Sequence, residues 1–385
     1  MYCDFESIDG YKLFLALKIG SARHFDKLIA KYGDAETVYK NMDLIHEEIP
    51  TVLTEANISS MKKISPSAFI ERIYKAIRDI DVDIIFKDDE RYFKNLKMCA
   101  DAPNVLFVRG HMPLDESKTV GIVGTRDYTN YGAEVTDEIA YSLARHGVAV
   151  VSGMAAGIDR IAAYSALRAK NGPCATIAVL GSGVDVPTPA ENEKLYESIC
   201  EGGLIVSQFE PGARATKYTY PIRNKVIAGI SDCLVVTEAG EKSGALITAR
   251  AALKYGRKLF CVAGRMTDPS YKGANALIAS SEAQSIESVD DILNSLNVGK
   301  SVVLSENKAV PVRKHTKSEE KSKLPLDAEE QLIYNALKKG EKTFDELYEI
   351  TNIDVPSLNL NLTTMELLGI IKQSQGRVYS LRDRL

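Results

Sequence analysis

Between residues 70 and 296 the chain alternates short apolar runs with segments whose apolar positions recur every three or four residues. The runs at 83–86, 105–108, 120–123, 148–151, 176–180, 204–206, 233–237 and 258–262 read as strands. Most are apolar nearly throughout, which strands buried on both faces require. The segments 133–146, 158–170, 192–200, 223–230 and 245–255 carry the helical period and separate them. Strands alternating with helices, joined by right-handed crossovers, predict an α/β fold: an extended Rossmann-like, doubly wound, mostly parallel sheet.

The flanks carry other patterns. Over residues 1–66, Leu13, Phe14, Leu17 and Ile19 precede Gly20, and Phe25, Leu28 and Ile29 precede Gly33. These short amphipathic helices predict a small N-terminal helical domain. The stretch KIGSARHFDKLIAKYGDAETVYK resembles a sterile-alpha-motif or helix-hairpin-helix module. A packing module that binds nothing fits equally, because an amphipathic helix needs only a core to face. Residues 297–325 contain few large apolar groups and read as a linker. From Lys300 to Pro325 they hold seven Lys or Arg against three Glu, an excess that suits a solvated tether or a DNA contact. Residues 326–385 show three helix-period segments, then IIKQSQGRVYSL as two strands about a Gln-Gly turn, the plan of a winged-helix domain. Its third helix, 357–368, has no Lys or Arg, so docking to protein or a structural role stands beside DNA binding.

Composition narrows the class. Hydrophobic residues make up 45% and charged residues 26%, an ordinary soluble balance. No apolar run nears the roughly 20 residues that span a bilayer, and the start, MYCDFESIDGYK, lacks a secretory pattern. Six cysteines are scattered without a CxxC pair, which suggests buried free thiols in a reducing cytoplasm, with no disulfide framework and no zinc site. A net charge of −4 does not advertise a nucleic-acid binder, although a local basic stripe would be hidden in that sum.

The candidate chemistry lies in glycine turns at strand-to-helix transitions: GIVGTRDYTNYG, VVSGMAAGID, AVLGSGVD and VVTEAGEKSGALITA, with the basic and aromatic stretch KYTYPIRNKVIAG. In a parallel sheet such turns gather at the carboxyl ends of the strands. There, backbone N–H groups and helix N-termini attract anions. Gly121, Gly124 and Thr125 would form the first turn, with Arg126 either forked onto a phosphate or paired with Asp127. Ser152, Gly153 and Gly157 form the second, and Asp159 opens its helix as a dipole-favoured acid or an active-site carboxylate. Lys217, Tyr220, Arg223, Asn224 and Lys225 offer charge for a strand's backbone and a flat ring for its bases. Tyr220 also fits a core aromatic, and Arg223 and Asn224 also fit a helix cap. Lys242, Ser243 and Gly244 make the last turn, as a phosphate site or a plain cap.

The ordered blocks VGIVGTR, VVSGMAAGID, TIAVLGSGVD, YPIRNKVIAG, VVTEA with SGALITA, and GANALI together resemble the DprA/Smf family of DNA-processing proteins over roughly residues 80–285. The resemblance implies a cytoplasmic homodimer with an extended Rossmann domain. It also implies a protein that binds single-stranded DNA, protects incoming strands and loads RecA recombinase onto them in natural transformation, with no cofactor. The chain departs from the family pattern at Ala163, where His is usual, and at Gln208, where Glu is usual. Lys225 stands for the second Arg of an RNR triplet, keeping the charge and losing the planar fork. Ser281-Glu282 replaces a Gly-Ala pair.

Two other functions remain open from the residues. One is an enzyme acting on a nucleotide-like small molecule, which would gather the dispersed acids Asp159, Asp185 and Glu238 at the sheet edge. No GxxxxGK[ST] is present, so P-loop ATP hydrolysis is not supported. The other is a transcription regulator, disfavoured by the uncharged third helix. The helix over 245–252 and the strand over 259–262 are candidates for the dimer surface or for ordinary core.

Overall fold

The computed structural model describes residues 9–114, 117–169, 171–298, 328–367, 370–374 and 377–381. They fall into two compact units, Met1–Val298 and Gly299–Leu385.

The first unit opens with helices α1 (Gly10–Ile19), α2 (Ala22–Tyr32), α3 (Ala35–Lys40), α4 (Met42–Glu48), α5 (Glu55–Lys62) and α6 (Pro66–Ile77). Local chemistry sets their ends. Asp9 caps α1 by accepting the Lys12 N–H at 3.0 Å, and Gly20 ends it in the left-handed region at φ 69°. Ser65 caps α6, with Pro66 in its first turn, where a missing N–H loses nothing. Phe14 and Phe69, both fully buried, meet edge to face at 5.1 Å and join α1 to α6. Truncating either ring would cost about 3–5 kcal/mol.

The sheet follows. Its strands are β1 (Asp83–Phe86), β2 (Val105–Gly110), β3 (Thr119–Gly124), β4 (Ala149–Ser152), β5 (Thr176–Val179), β6 (Leu204–Ser207), β7 (Cys233–Glu238), β8 (Lys258–Cys261) and β9 (Gln284–Ser285). Between them run α7 (Lys94–Lys97), α8 (Asn130–Arg145), α9 (Ile158–Ala169), α10 (Glu193–Gly202), α11 (Thr219–Ile230), α12 (Ala245–Lys254) and α13 (Lys272–Ala279), and α14 (Val289–Ser295) comes last. The strand order is β1-β2-β6-β5-β4-β3-β7-β8-β9. All pairs from β6 to β9 are parallel, while β1–β2 and β2–β6 are antiparallel. The chain therefore winds outward from β3 through β4, β5 and β6, then returns to β7 on the other side. The switch lies between β3 and β7, where an open α/β sheet leaves a crevice at its carboxyl edge.

Alternate strand residues fill different layers. Val120, Ile122, Val150, Val235 and Phe260 pack with α8, α9 and α14, whereas Val123, Val151, Leu234, Val236 and Cys261 pack with α11 and α12. The N-terminal helices share one continuous core with the sheet through Phe14, Phe69, Val105, Phe107, Leu180 and Ile205. The doubly wound, mostly parallel sheet and all eight predicted strands are present, with the two-residue β9 in addition. Four of the five described cysteines, Cys99, Cys174, Cys233 and Cys261, are buried free thiols and Cys200 is half-buried; Cys3 lies outside the described residues.

Two expectations change. Arg223 and Asn224 do not open a helix, because α11 begins at Thr219 and places both in its second turn. The strand at 259–262 is not a pairing surface, because Leu259, Phe260, Cys261 and Val262 are all buried in the sheet. Ala245, Ala249 and Ala252 of α12 are buried as well.

The second unit holds α15 (Ala328–Leu337), β10 (Lys342–Thr343), α16 (Phe344–Thr351), α17 (Val355–Leu367), β11 (Ile371–Ser374) and β12 (Val378–Leu381), with an antiparallel sheet ordered β10-β12-β11. A capping box between Thr343 and Glu346 starts α16. The basic run expected over 300–323 and the Gln-Gly turn lie outside the described residues.

Candidate nucleic-acid interface

A crevice of about 460 Å³ lies at the carboxyl edge of the sheet at the switch point. Three chain segments shape it. β3 ends at Gly124, and the turn beyond is tied down by backbone: Thr125 N–H donates to the Glu238 carbonyl at 2.9 Å, and Ile158 N–H donates to the Thr125 carbonyl at 3.2 Å. Gly157, at φ 83°, makes that second tie possible, since a Cβ there would stand 2.5 Å from the Thr125 and Arg126 carbonyl oxygens. The turn so held presents Arg126 to solvent. Among the described residues no carboxylate pairs with Arg126. Its guanidinium instead stands 5.7 Å from the centroid of the Tyr220 ring.

The second segment precedes α11. Thr216 and Thr219 bond each other through backbone and hydroxyl groups, the Thr216 N–H reaching Thr219 Oγ1 at 2.9 Å. This turn places Lys217 and Tyr218 in the open, with the Lys217 ammonium 5.1 Å over the Tyr218 ring. Tyr218 is 71% exposed. Tyr220, two residues on, is half-buried rather than core. Its ring lies over Gly181, where a Cβ would stand 3.1 Å from Cδ1. The AVLGSGVD turn thus seats an aromatic ring. The third segment is the start of α12, where Ser243 Oγ accepts the Ala245 N–H at 3.3 Å and Gly244 is exposed at the helix N-terminus. Ile247, 43% exposed, and Thr248 continue this wall.

The floor is different. Arg223 is 4% exposed. Its Nη1 donates to the Gly153 carbonyl and, at 2.6 Å, to the Val179 carbonyl; its Nε donates to Asn224 Oδ1 at 2.9 Å. The guanidinium fills the space where a side chain on residue 153 would stand, so a Cβ there would displace it. Asp159, 7% exposed, accepts the Gly153 N–H at 3.1 Å. Burial pushes its carboxyl above the usual range, and the Arg223 charge with the N–H groups of Gly153 and Ala155 pulls it back. Burial likewise lowers Arg223, and Asp159 opposes that shift.

The crevice therefore brings together Gly124, Thr125, Arg126, Lys217, Tyr220, Arg223, Asn224, Ser243 and Gly244 of the predicted residues. The others stand outside its lining. Gly121 is inside β3, packed on Ser231 and Leu234. Ser152 is fully buried, and Gly153 and Gly157 shape the turn beneath. Lys225 pairs with Asp101 at 2.9 Å, and Lys242 is exposed beside the wall. Of the three candidate acids, Asp159 alone lines the crevice. Glu238 accepts the Thr129 N–H at 2.9 Å and bonds the hydroxyls of Thr129 and Tyr271, which anchors the start of α8. Asp185 accepts the Gly212 N–H at 2.8 Å. The apolar wall residues Ile227 and Ile247 were not predicted, because a branched aliphatic in a helix reads as core.

A family model described as DNA recombination-mediator protein A matches residues 83–297. The chain belongs to this DprA/Smf family. It is 35% identical over 228 residues to the DNA processing protein DprA of Bacillus subtilis, covering 59% of this chain and 75% of that one. The fold is similar to a solved DNA processing protein A of Streptococcus pneumoniae, with a TM-score of 0.62 and 28% identity over 74% of this chain and 98% of that one. It is also similar to a DNA processing protein A of Helicobacter pylori described for its single-stranded DNA binding mode, with a TM-score of 0.51 and 30% identity over 57% and 96% of the two chains. The family match spans the segments that build the crevice.

Proposed function

We propose that the chain is a non-enzymatic, single-stranded DNA-binding protein of the cytoplasm. In this reading it protects incoming strands and loads RecA recombinase onto them, working as a homodimer. The observation that carries the reading is the convergence of Arg126, Lys217 and Tyr220 on the rim of one crevice, beside the N-terminus of α12. Cations and a helix N-terminus suit phosphates, and a half-buried ring suits a base. A duplex keeps its bases stacked inside and offers such a ring nothing. The lone carboxylate of the crevice is engaged by backbone N–H groups and lies beside Arg223, a poor arrangement for general-base chemistry. Two bound crevices on one strand would make the second contact intramolecular and raise affinity, which is the physical support for a dimer.

The second unit reads as a winged helix whose α17 carries no Lys or Arg. A gel-shift comparison of single strand, duplex and nucleoside monophosphates tests the main reading. Retarded single strand that mononucleotides do not displace is the expected outcome. Release of free base from incubated mononucleotides, seen by chromatography, would favour the small-molecule enzyme instead. Removal of residues 326–385 is expected to leave strand binding intact.

A further inference from the structure

The segment from β6 to α11 carries Lys217 and Tyr220 into the crevice, and its conformation is set from outside the sheet. Its middle is the sequence Glu210-Pro211-Gly212-Ala213. Ala213 N–H donates to the Glu210 carbonyl at 3.0 Å, and Gly212 sits at φ 79°. Proline followed by glycine with positive φ is the signature of a type II turn. The turn is stiff for three reasons: proline fixes one φ, Asp185 accepts the Gly212 N–H at 2.8 Å, and the Ala213 carbonyl accepts the Gly183 N–H at 2.8 Å.

The first residue of this turn is gripped by the N-terminal helices. Lys18, the next-to-last residue of α1, bonds one oxygen of Glu210 at 3.0 Å. Arg72 of α6 bonds the other at 2.6 Å. Both cations are themselves braced on one buried ring, Phe69, at 4.6 Å and 5.1 Å from its centroid. The Lys18 side chain is 16% exposed, so its charge is poorly screened. Glu210 is not a lining residue of the crevice.

We infer that Glu210 is a positioning residue for nucleic-acid binding: held by Lys18 and Arg72, it fixes the Pro-Gly turn so that Lys217 and Tyr220 are ordered before a strand arrives. The inference rests on the strand-binding function proposed above. Its physical basis is that ordering a loop upon binding subtracts from affinity, and a loop ordered in advance avoids that loss.

The sign of one substitution separates this from a plain charge effect. Glu210→Gln removes a negative charge from a segment that binds an anion, so electrostatics alone makes binding tighter. Loss of the clamp makes it weaker. Oligothymidylate affinity of the full chain is measured for the wild type, Glu210→Gln, Lys18→Met/Arg72→Met and the three changes combined, with amide hydrogen exchange of residues 212–217 followed in the same proteins without DNA. The expected result is weakening by about two- to fivefold in each variant, with the combined variant no weaker than the worse of the others and faster exchange across the turn. Unchanged or tighter binding by Glu210→Gln, or losses that simply multiply in the combined variant, overturns the inference while leaving the strand-binding reading in place. Unchanged exchange across the turn overturns it too. A wild type that binds no single strand overturns both.

Discussion

Two arginines stand against one tyrosine, each with its guanidinium 5.7 Å from the Tyr220 centroid, and they belong to different regions of the crevice. Arg126 is on the rim, exposed and without a carboxylate partner among the described residues. Arg223 is on the floor, 4% exposed, and its Nη1 and Nε donors are occupied by the Gly153 and Val179 carbonyls and by Asn224. In the proposed reading, the same side chain serves ligand binding in one place and architecture in the other. What separates them is whether the donors are already satisfied. A satisfied buried cation holds loops together, and an unsatisfied exposed one is available to a phosphate.

That contrast breaks most readily at the floor. Arg223→Ala leaves the Asp159 carboxylate buried without its cation and strips two carbonyls of their donor, so a loss of about 3–5 kcal/mol of folding stability is expected. Thermal or urea unfolding measures it. A variant that melts like the wild type and fails only to bind would move Arg223 to the rim.

At the rim the effects are smaller and shift from stability to binding. Arg126→Ala is expected to weaken oligothymidylate binding by about 1.5–3 kcal/mol, the worth of a charge-assisted hydrogen bond. Its unfolding free energy should stay within about 0.5 kcal/mol of the wild type. The opposite pairing, normal affinity with a lowered melting point, would assign Arg126 to structure. Tyr220→Ala should lose about 1–3 kcal/mol of binding if one base stacks on the ring, and Tyr220→Phe should restore it because the face of the ring is kept. Failure of Phe to rescue would point to the hydroxyl. Lys225→Ala sits at the bottom of the scale. Its ion pair with Asp101 is partly exposed and worth about 0–1 kcal/mol, and strand affinity should not move. A clear loss of affinity would extend the binding surface along α11, away from the crevice.

The rim–floor distinction also marks where the sequence stops being legible. Apolar runs located every strand from β1 to β8, because a strand covered on both faces has no room for polar residues. The two-residue β9 is too short to carry a pattern, and α13 hid in the GANALI block, whose small residues show no period. The start of α11 was misplaced because Tyr-Pro reads as a loop, whereas proline is tolerated in a first helical turn. The glycine turns correctly pointed to the carboxyl edge, but glycine signals close approach without naming what approaches. At Gly153 it is the Arg223 guanidinium, at Gly181 the Tyr220 ring, and at Gly157 the carbonyls of the Arg126 turn. Glu238 read as a candidate acid for the sheet edge and is an anchor for α8, a role set by Thr129, 109 positions away. Helical periodicity showed that the N-terminal helices have apolar faces, and pairwise contacts such as Phe14 with Phe69 fill them, but no pattern could reveal that Lys18 and Arg72 hold a glutamate beyond β6.

The central claim, that an exposed cationic and aromatic rim takes a single strand, is tested most directly by fluorescence anisotropy of an oligothymidylate and of a duplex of equal length across several salt concentrations. The account predicts tighter binding to the single strand. It also predicts an affinity that falls as salt rises, with a log–log slope of about −0.7 for each phosphate neutralised, and a shallower slope for Arg126→Ala. Equal affinity for duplex, or a wild-type slope indistinguishable from zero, would contradict it.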